Sequence, residues 1–505
     1  MGRGVHRRDA IKIGMGGLAL SALGGLVRAQ DSGEPRPNIL FIMTDDHAQS
    51  VLSSYGNEII STPNLDRIGN EGIRFTEAFV TNSLCLPSRA SYLTGQYSHT
   101  HGMITNGAES GFHDEPPLDN SRTYPNLLRA AGYYTGVVGK WHVNNPPEGY
   151  DHTAVLPGQG MYFDPEMIVN GQSTATQGHT DDVIGDYALD FLRNRPADRP
   201  FCLLYQFKAP HRGWEPAPRF AEAFSDIEFP VPDTFMEDIS KRPEALQAAD
   251  LLIANMTDYR DRGVTEDMPF EERAWLNYQH FIHDYYRVLL GVDENTGRVL
   301  DELDAQGLTE NTLVVYTSDN GFFLGEHGMF DKRLMYEPSI KVPMLVRHPA
   351  AIEPGQVDSE HMLLNIDVAP SFLDYAGVEI PGDMQGASWA PVVRGENPDW
   401  RQDFLYEYFE FPAAHCVRAH RGVRETRWKL IHWDYPEAWE LYDLEADPQE
   451  TTNLAGDPEY ADEEARLRDR LAELRREYGD TDPPGYTPGD PEELGYCQPI
   501  AEDAG

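Results

Sequence analysis

Four apolar runs in this chain end abruptly in a polar cluster, and that repeated edge constrains the fold more than any other feature. Asn38-Ile39-Leu40-Phe41-Ile42-Met43 leads into Thr44-Asp45-Asp46. Tyr133 to Gly139 leads into Lys140-Trp141-His142. Phe201 to Phe207 leads into Lys208-Ala209-Pro210-His211, and Thr312 to Thr317 into Ser318-Asp319-Asn320-Gly321. Helical patterns separate the runs, which predicts an α/β chain with a parallel or mixed sheet covered by helices. In open α/β sheets ligands bind beyond the carboxyl ends of the strands. If the four runs are neighbours, two acidic and two basic clusters converge on one site. A single cluster is an ordinary polar turn; four with complementary chemistry are a site.

The residue types specify that chemistry. Asp45, Asp46, Asp319 and Asn320 offer only oxygen, which suits calcium or magnesium rather than zinc. An Asp-Asp pair alone is equally a solvated turn or a helix cap. Lys140, His142, Lys208 and His211 would stand opposite. Cation, lysines and histidines together form a layout for a tetrahedral anion, in which histidines move protons and the cations neutralise charge.

Between the first two runs lies Ser83-Leu84-Cys85-Leu86-Pro87-Ser88-Arg89-Ala90-Ser91-Tyr92-Leu93-Thr94-Gly95. Pro87 suits the first turn of a helix, so Cys85 falls at a helix N-terminus, where partial positive charge favours anions. Read plainly, this is a cysteine nucleophile of lowered pKa. The wider motif, Cys-x-Pro-Ser-Arg-Ala followed by Leu-Thr-Gly, resembles the maturation motif of the type I, formylglycine-dependent sulfatases of the alkaline phosphatase superfamily. Thr62-Pro63-Asn64-Leu65-Asp66 and Gly72-Ile73-Arg74-Phe75 match stretches before the motif. Gly139 to His142, Asp319-Asn320-Gly321 and Lys332 to Glu337 match later ones, so the resemblance runs from residue 37 to residue 478.

The resemblance implies a large mixed, mostly parallel sheet sandwiched by helices, alkaline-phosphatase-like. It implies Ca2+ held by Asp45, Asp46, Asp319 and Asn320 with an oxygen of the modified residue 85. Cys85 would be oxidised to formylglycine by a formylglycine-generating or equivalent maturation enzyme, and the hydrate would attack sulfur. Arg89 would hold the hydroxyl pair, His142 would take a proton from the second hydroxyl, and His211 would protonate the leaving alcohol. Lys140 and Lys332 would hold sulfate oxygens, and Lys208 would touch the leaving group or support His211. Leu156-Pro157-Gly158-Gln159-Gly160 with Tyr162, Lys208 to Arg212 and Gly325 to Glu337 are similar to glycan sulfatases of the N-acetylglucosamine-6-sulfatase kind. The activity implied is hydrolysis of O-sulfate on a sulfated polysaccharide or glycosaminoglycan fragment. His415, Arg418 and His420 are the candidate substrate residues of the C-terminal part. Two other readings stay open: a phosphonate or phosphate-ester hydrolase of the same superfamily, and, if Cys85 is unmodified, a non-catalytic binder of sulfated glycans.

Arg7-Arg8 precede an apolar, glycine-rich run from Ile13 to Val27, so residues 1–29 read as a Tat-type signal peptide. That predicts the Tat export machinery as a partner and a periplasmic or secreted protein. The run is too short and glycine-rich for a spanning helix, and no stable membrane span follows. Residues 30–380 form the catalytic α/β domain. From 381 to 478 the chain reads as a C-terminal subdomain: strands at Phe404 to Phe411, Arg421 to Trp433 and Trp439 to Tyr442, then a charged helix from Glu459 to Tyr478. The resemblance makes these a small antiparallel sheet with one helix. Residues 479–505 form an acidic, Pro/Gly-rich tail.

Charge narrows the partners. With 83 Asp+Glu against 41 Lys+Arg the net charge is −42, which excludes nucleic acid by bulk electrostatics. Lysine occurs only at Lys12, Lys140, Lys208, Lys241, Lys332, Lys341 and Lys429. Lys140, Lys208 and Lys332 fall in the proposed site, so the positive charge gathers there while the surface stays acidic. Among the remaining candidates, His280 and His283 read as a packed helix face, His99 and His101 as structural, and His327 as near the calcium cluster. Cys202 reads as a core thiol, and Cys416 and Cys497 could pair.

Overall fold

The four apolar runs are four adjacent strands in the middle of one ten-stranded sheet. In the computed structural model, which describes residues 36–107 and 116–482, they lie in the order Thr312–Ser318, Asn38–Thr44, Phe201–Gln206, Tyr134–Lys140. All are parallel, with Thr44 beside Ser318, and Met43 and Gly139 each beside Gln206. Their carboxyl ends therefore share one edge. His152–Leu156 extends the parallel set, and Glu166–Val169 and Gln172–Ala175 continue it antiparallel. On the other flank Met344–Arg347 runs antiparallel, followed by Ile73–Phe75 and Gln356–Asp358.

Asn38–Thr44 is buried along its whole length, as a strand covered on both faces must be. Leu40 and Ile42 pack with Phe281, Leu289 and Val292 of the long helix Phe270–Ala305. Ile39, Phe41 and Met43 pack with Leu86 and Leu93 of the helix Cys85–Thr94 and Phe372 of Val368–Tyr375. The result is a helix–sheet–helix sandwich. Gly139 is required where it stands: its φ is +100°, and a Cβ would lie 1.8 Å from the Gln206 carbonyl oxygen.

A second sheet of four antiparallel strands follows, Asp403–Tyr408, His420–Glu425, Trp428–Trp433 and Ala438–Asp443, with Ala461–Tyr478 packed on it through Leu467, Leu471 and Leu474. The stretch Arg421 to Trp433, expected as one strand, is two strands that fold back across Thr426-Arg427. A turn without Gly or Pro carries no local signal. The described residues, 36–107 and 116–482, fall in one compact unit, and a buried ion network ties the small sheet to the large part. Lys429 pairs with Glu337 at 2.9 Å and Glu450 at 2.5 Å. Arg424 reaches Glu337 and Glu77, each at 3.1 Å. Residues 1–29, expected to be a signal peptide, nearly all of the expected tail and Cys497 lie outside the described residues. No helix among the described residues is long and apolar enough to cross a membrane.

Candidate active site

Because Thr44 and Ser318 are register partners, Asp45-Asp46 and Asp319-Asn320 leave the sheet side by side. The backbone N–H of Asp46 donates to Asp319 Oδ1 at 3.1 Å. Asp46 takes a left-handed φ of 70° to do so, a strain typical of functional turns. Oxygens of Asp45, Asp46 and Asp319, all buried, lie within 4.8 Å of one another. Asn320 Nδ2 donates to Asp46 Oδ1 at 2.6 Å and to the Gly321 carbonyl at 2.9 Å. That leaves Asn320 Oδ1 as a buried acceptor without a hydrogen bond. Three converging carboxylates and an unpartnered amide oxygen fit a hard cation. Burial, with Asp45 and Asp331 nearby, raises Asp46 to about 6. Burial and the same Asp45 raise Asp319 to about 7. Burial acts upward on Asp45 too, but Lys140, His211, Arg89 and Lys332 together hold it well below the usual carboxylate range.

Cys85 is the first residue of its helix, after an extended Leu84. Its Sγ lies 3.4 Å from Asp45 Oδ1 and 3.3 Å from Lys332 Nζ. Burial, reinforced by Asp45, pushes the thiol well above its ordinary value. The plain reading of a thiolate nucleophile with lowered pKa is therefore corrected: the helix N-terminus and two lysines do not outweigh burial among carboxylates. Arg89, one turn further along, donates from Nε to Asp319 Oδ2 and from Nη1 to the Lys140 carbonyl, both at 2.8 Å. Its Nη2 is buried, 3.7 Å from Asp45 Oδ2 and without a hydrogen bond.

The basic clusters arrive opposite. Lys140 pairs with Asp45 and donates to Gln159 Oε1; Lys332 pairs with Asp46. Lys208 lies over the Tyr162 ring, 4.8 Å from its centroid, and burial beside Lys140 lowers it to about 8. His211 follows a cis Ala209–Pro210 peptide, and its ring comes within 4.8 Å of both Asp45 and Cys85. Burial and Lys140 hold the imidazole of His211 well below its usual range, so it rests neutral. His142, with a φ of 44°, places Nε2 3.1 Å from the Gln159 amide nitrogen. The four strand ends, the helix at 85 and the loop at 332 thus bring every expected metal, nucleophile and proton-transfer residue together. A cleft of about 370 Å3, lined by Leu86, Asn106, Trp141, His142 and Pro146 among others, opens beside them.

The C-terminal candidates divide. His415 Nε2 lies 3.4 Å from Asp331, the neighbour of Lys332, and Nδ1 bonds the Asp250 carbonyl. Arg418 is buried over the Phe411 ring. His420 is corrected: its fully buried ring packs among Tyr406, Tyr408 and Trp433, where no sugar reaches it. His327 pairs with Glu237 and Arg242 rather than with the acidic cluster. His99 pairs with Glu407, His101 with Ser91, and His283 bonds two backbone carbonyls, while His280 packs on Tyr259, all structural uses. Cys202 is a buried free thiol and Cys416 is disulfide-bonded.

Two features had no sequence assignment. Gln159 bridges Lys140 and His142. Arg333 reaches Asp331 at 3.1 Å, Tyr408 at 3.1 Å and Glu410 at 2.5 Å, bracing the turn that carries Lys332. The charges flanking Lys332 were visible, but Glu410 lies 77 positions away from Arg333.

The sulfatase family profile matches residues 37–378. The chain belongs to the sulfatase family. A second profile, described as N-sulphoglucosamine sulphohydrolase, C-terminal, matches residues 325–477 of this sulfatase. The sulfatase is 40% identical over 516 aligned positions to the N-acetylglucosamine-6-O-sulfatase of Bacteroides thetaiotaomicron, covering 92% of this chain and 91% of that one. It is 30% identical to the N-acetylglucosamine-6-sulfatase of Homo sapiens, covering 88% and 86%. A solved structure described as a complex with its substrate D-glucosamine-2-N,6-O-disulfate matches with a TM-score of 0.81 at 39% identity, covering 89% of this chain and 99% of that one. The expected fold, an alkaline-phosphatase-like sandwich with a small antiparallel sheet, and the expected enzyme class, a glycan sulfatase, both hold.

Proposed function

We propose that this sulfatase removes the 6-O-sulfate from N-acetylglucosamine or related glucosamine units of sulfated glycans. One observation carries the reading: a chain similar over nine-tenths of its length to an N-acetylglucosamine-6-O-sulfatase gathers Cys85, three carboxylates and three lysines in one buried site. Asp45, Asp46, Asp319 and Asn320 would hold Ca2+, which when bound supplies fixed positive charge for sulfate oxygens. Formylglycine made from Cys85 by a maturation enzyme supplies, when hydrated, an oxygen nucleophile in place of a buried thiol. Arg89 Nη2 stands ready for that hydrate, while Lys140 and Lys332 bind equatorial oxygens. His142 accepts a proton from the residue 85 hydroxyl, and His211 gives one to the leaving sugar oxygen. A sulfate beside His211 raises its proton affinity by direct charge attraction. Lys208 lies on the leaving-group side, and His415 and Arg418 are substrate candidates on the C-terminal side. The twin-arginine leader at 1–29 supports Tat export to the periplasm or beyond, with residues 30–380 as catalytic domain and 381–478 as subdomain.

The test is sulfate release from a panel: 6-O-sulfated N-acetylglucosamine, a 2-O-sulfated hexuronate, an aryl sulfate and an aryl phosphate. The expected order puts the first substrate highest in kcat/KM. A faster reaction on the phosphate than on any sulfate would overturn the proposal. Mass spectrometry of the peptide containing residue 85, from active native protein, is expected to show the thiol lost.

A further inference from the structure

The segment 208–213, which carries both Lys208 and His211, folds around one buried side chain, Tyr162. Lys208 Nζ lies 4.8 Å from the centroid of the Tyr162 ring. The Tyr162 hydroxyl donates to the His211 backbone carbonyl at 2.6 Å. Gly213 takes a φ of 107°, and a Cβ there would stand 3.6 Å from two carbons of the same ring. The segment begins as a tight turn, closed by a His211 N–H to Lys208 carbonyl bond of 3.1 Å. The Ala209 carbonyl accepts from the Asp45 N–H at 3.3 Å, so the turn is pinned both to the acidic strand end and to Tyr162.

Tyr162 is held in its turn by the start of the helix Thr180–Asn194. The Thr180 N–H donates to the Tyr162 carbonyl at 2.8 Å, and the Thr180 hydroxyl donates to the Met161 carbonyl. The His179 ring packs 5.7 Å from the Tyr162 ring, and its Nε2 lies 2.9 Å from the Glu215 carbonyl. Tyr162 is 2% exposed, and burial, reinforced by Asp181, pushes the phenol well above its ordinary value. The hydroxyl keeps its proton, and a carbonyl only accepts, so the direction of the bond to His211 is fixed. Lys140 and Lys332 each pair with a carboxylate, whereas Lys208 rests on a ring face. An aromatic face attracts a cation without neutralising it, so the ammonium keeps its charge for an incoming anion.

We infer that Tyr162 is a positioning residue for the leaving-group side of the site: one side chain fixes the backbone at His211 and seats Lys208. The catalytic value of this arrangement rests on the proposed reading of His211 as the acid; the placement does not.

Tyr162→Phe removes the hydroxyl and keeps the ring, and Tyr162→Leu removes both. Kinetics on the full-length enzyme compare 6-O-sulfated N-acetylglucosamine, whose alcohol must gain a proton, with 4-nitrophenyl sulfate, whose phenolate leaves without one. In Tyr162→Phe, kcat/KM on the sugar is expected to fall about 10- to 100-fold, and on the aryl sulfate less than about threefold. A defect of folding alone lowers both alike. His211→Asn is the reference: a split between the substrates there, with equal falls in Tyr162→Phe, overturns the inference. Crystal structures supply a readout that needs no turnover. Lys208 Nζ is expected over the ring in the wild type and displaced from that place in Tyr162→Leu, and an unmoved lysine overturns the inference. If the wild type cleaves no sulfate ester, or His211→Asn shows no split, the proposed function or the acid role fails while the crystal structures still decide the placement.

Discussion

At the scale of single residues, the site is a balance of buried charges. Asp46 and Asp319 carry folded pKa values of about 6 and about 7, above the value of about 3.9 for an exposed aspartate. The protonated forms are therefore favoured by folding. Their stabilisation is fully present below about pH 4 and is lost as pH rises through 6 and 7. With divalent cations chelated, the thermal midpoint should fall across that window, and excess Ca2+ should restore it near pH 7.5 by replacing the protons. Asp319→Asn should flatten the chelated profile. A profile unchanged by that substitution and by Ca2+ would refute the assignment. Most site residues were legible because each belonged to a strand-end cluster or to the cysteine motif. His420 was misread because residue type does not reveal which side of a strand is solvated; both faces of His420–Glu425 are covered. Gln159 went unassigned because its partners are set by strand register, not by spacing.

At the scale of elements, glycine and charge decide how parts meet. Gly139 lets the strand ending at Lys140 press against the Gln206 carbonyl, which brings the lysine into the site. The small sheet is held by Lys429, fully buried between Glu337 and Glu450. Removing one partner of such a set strands the others without compensation. Lys429→Met should destabilise the protein by about 3–5 kcal/mol, measured from urea unfolding midpoints. Adding Glu337→Gln and Glu450→Gln should recover part of that loss. Three equal midpoints would show that the network contributes nothing. Two of the three apparent strands of this sheet matched single strands, since their boundaries coincide with turn residues. The hairpin at Thr426-Arg427 escaped notice because apolar residues continue on both sides of it.

At the scale of the whole molecule, the α/β class and the shared strand edge were legible, but the order of strands was not. Order follows from crossovers between segments as distant as Asn38 and Thr312, and short edge strands such as Ile73–Phe75 carry too little pattern to be seen. Charge divides by location: Lys140, Lys208, Lys332 and Lys429 are all buried, leaving an acidic exterior to a chain of net charge −42. That exterior repels a sulfated polymer. Between about 0.01 M and 0.15 M salt the Debye length shrinks from about 30 Å to about 8 Å. Over that range kcat/KM on a sulfated polysaccharide should rise, while a monosaccharide sulfate should respond far less. A steady fall for the polymer would count against repulsion as the controlling effect.

The enclosure of residue 85 also sets a clock. Cys85 is 0% exposed, roofed by Asp45 from one strand and Lys332 from a loop 247 residues downstream. An enzyme that alters this side chain can meet it only while those walls are unbuilt. If Cys85 is matured as proposed, the modifying enzyme would have to act ahead of the last third of the chain, or before that part docks. A leader that delivers folded cargo would then carry a protein whose chemistry had been settled before departure.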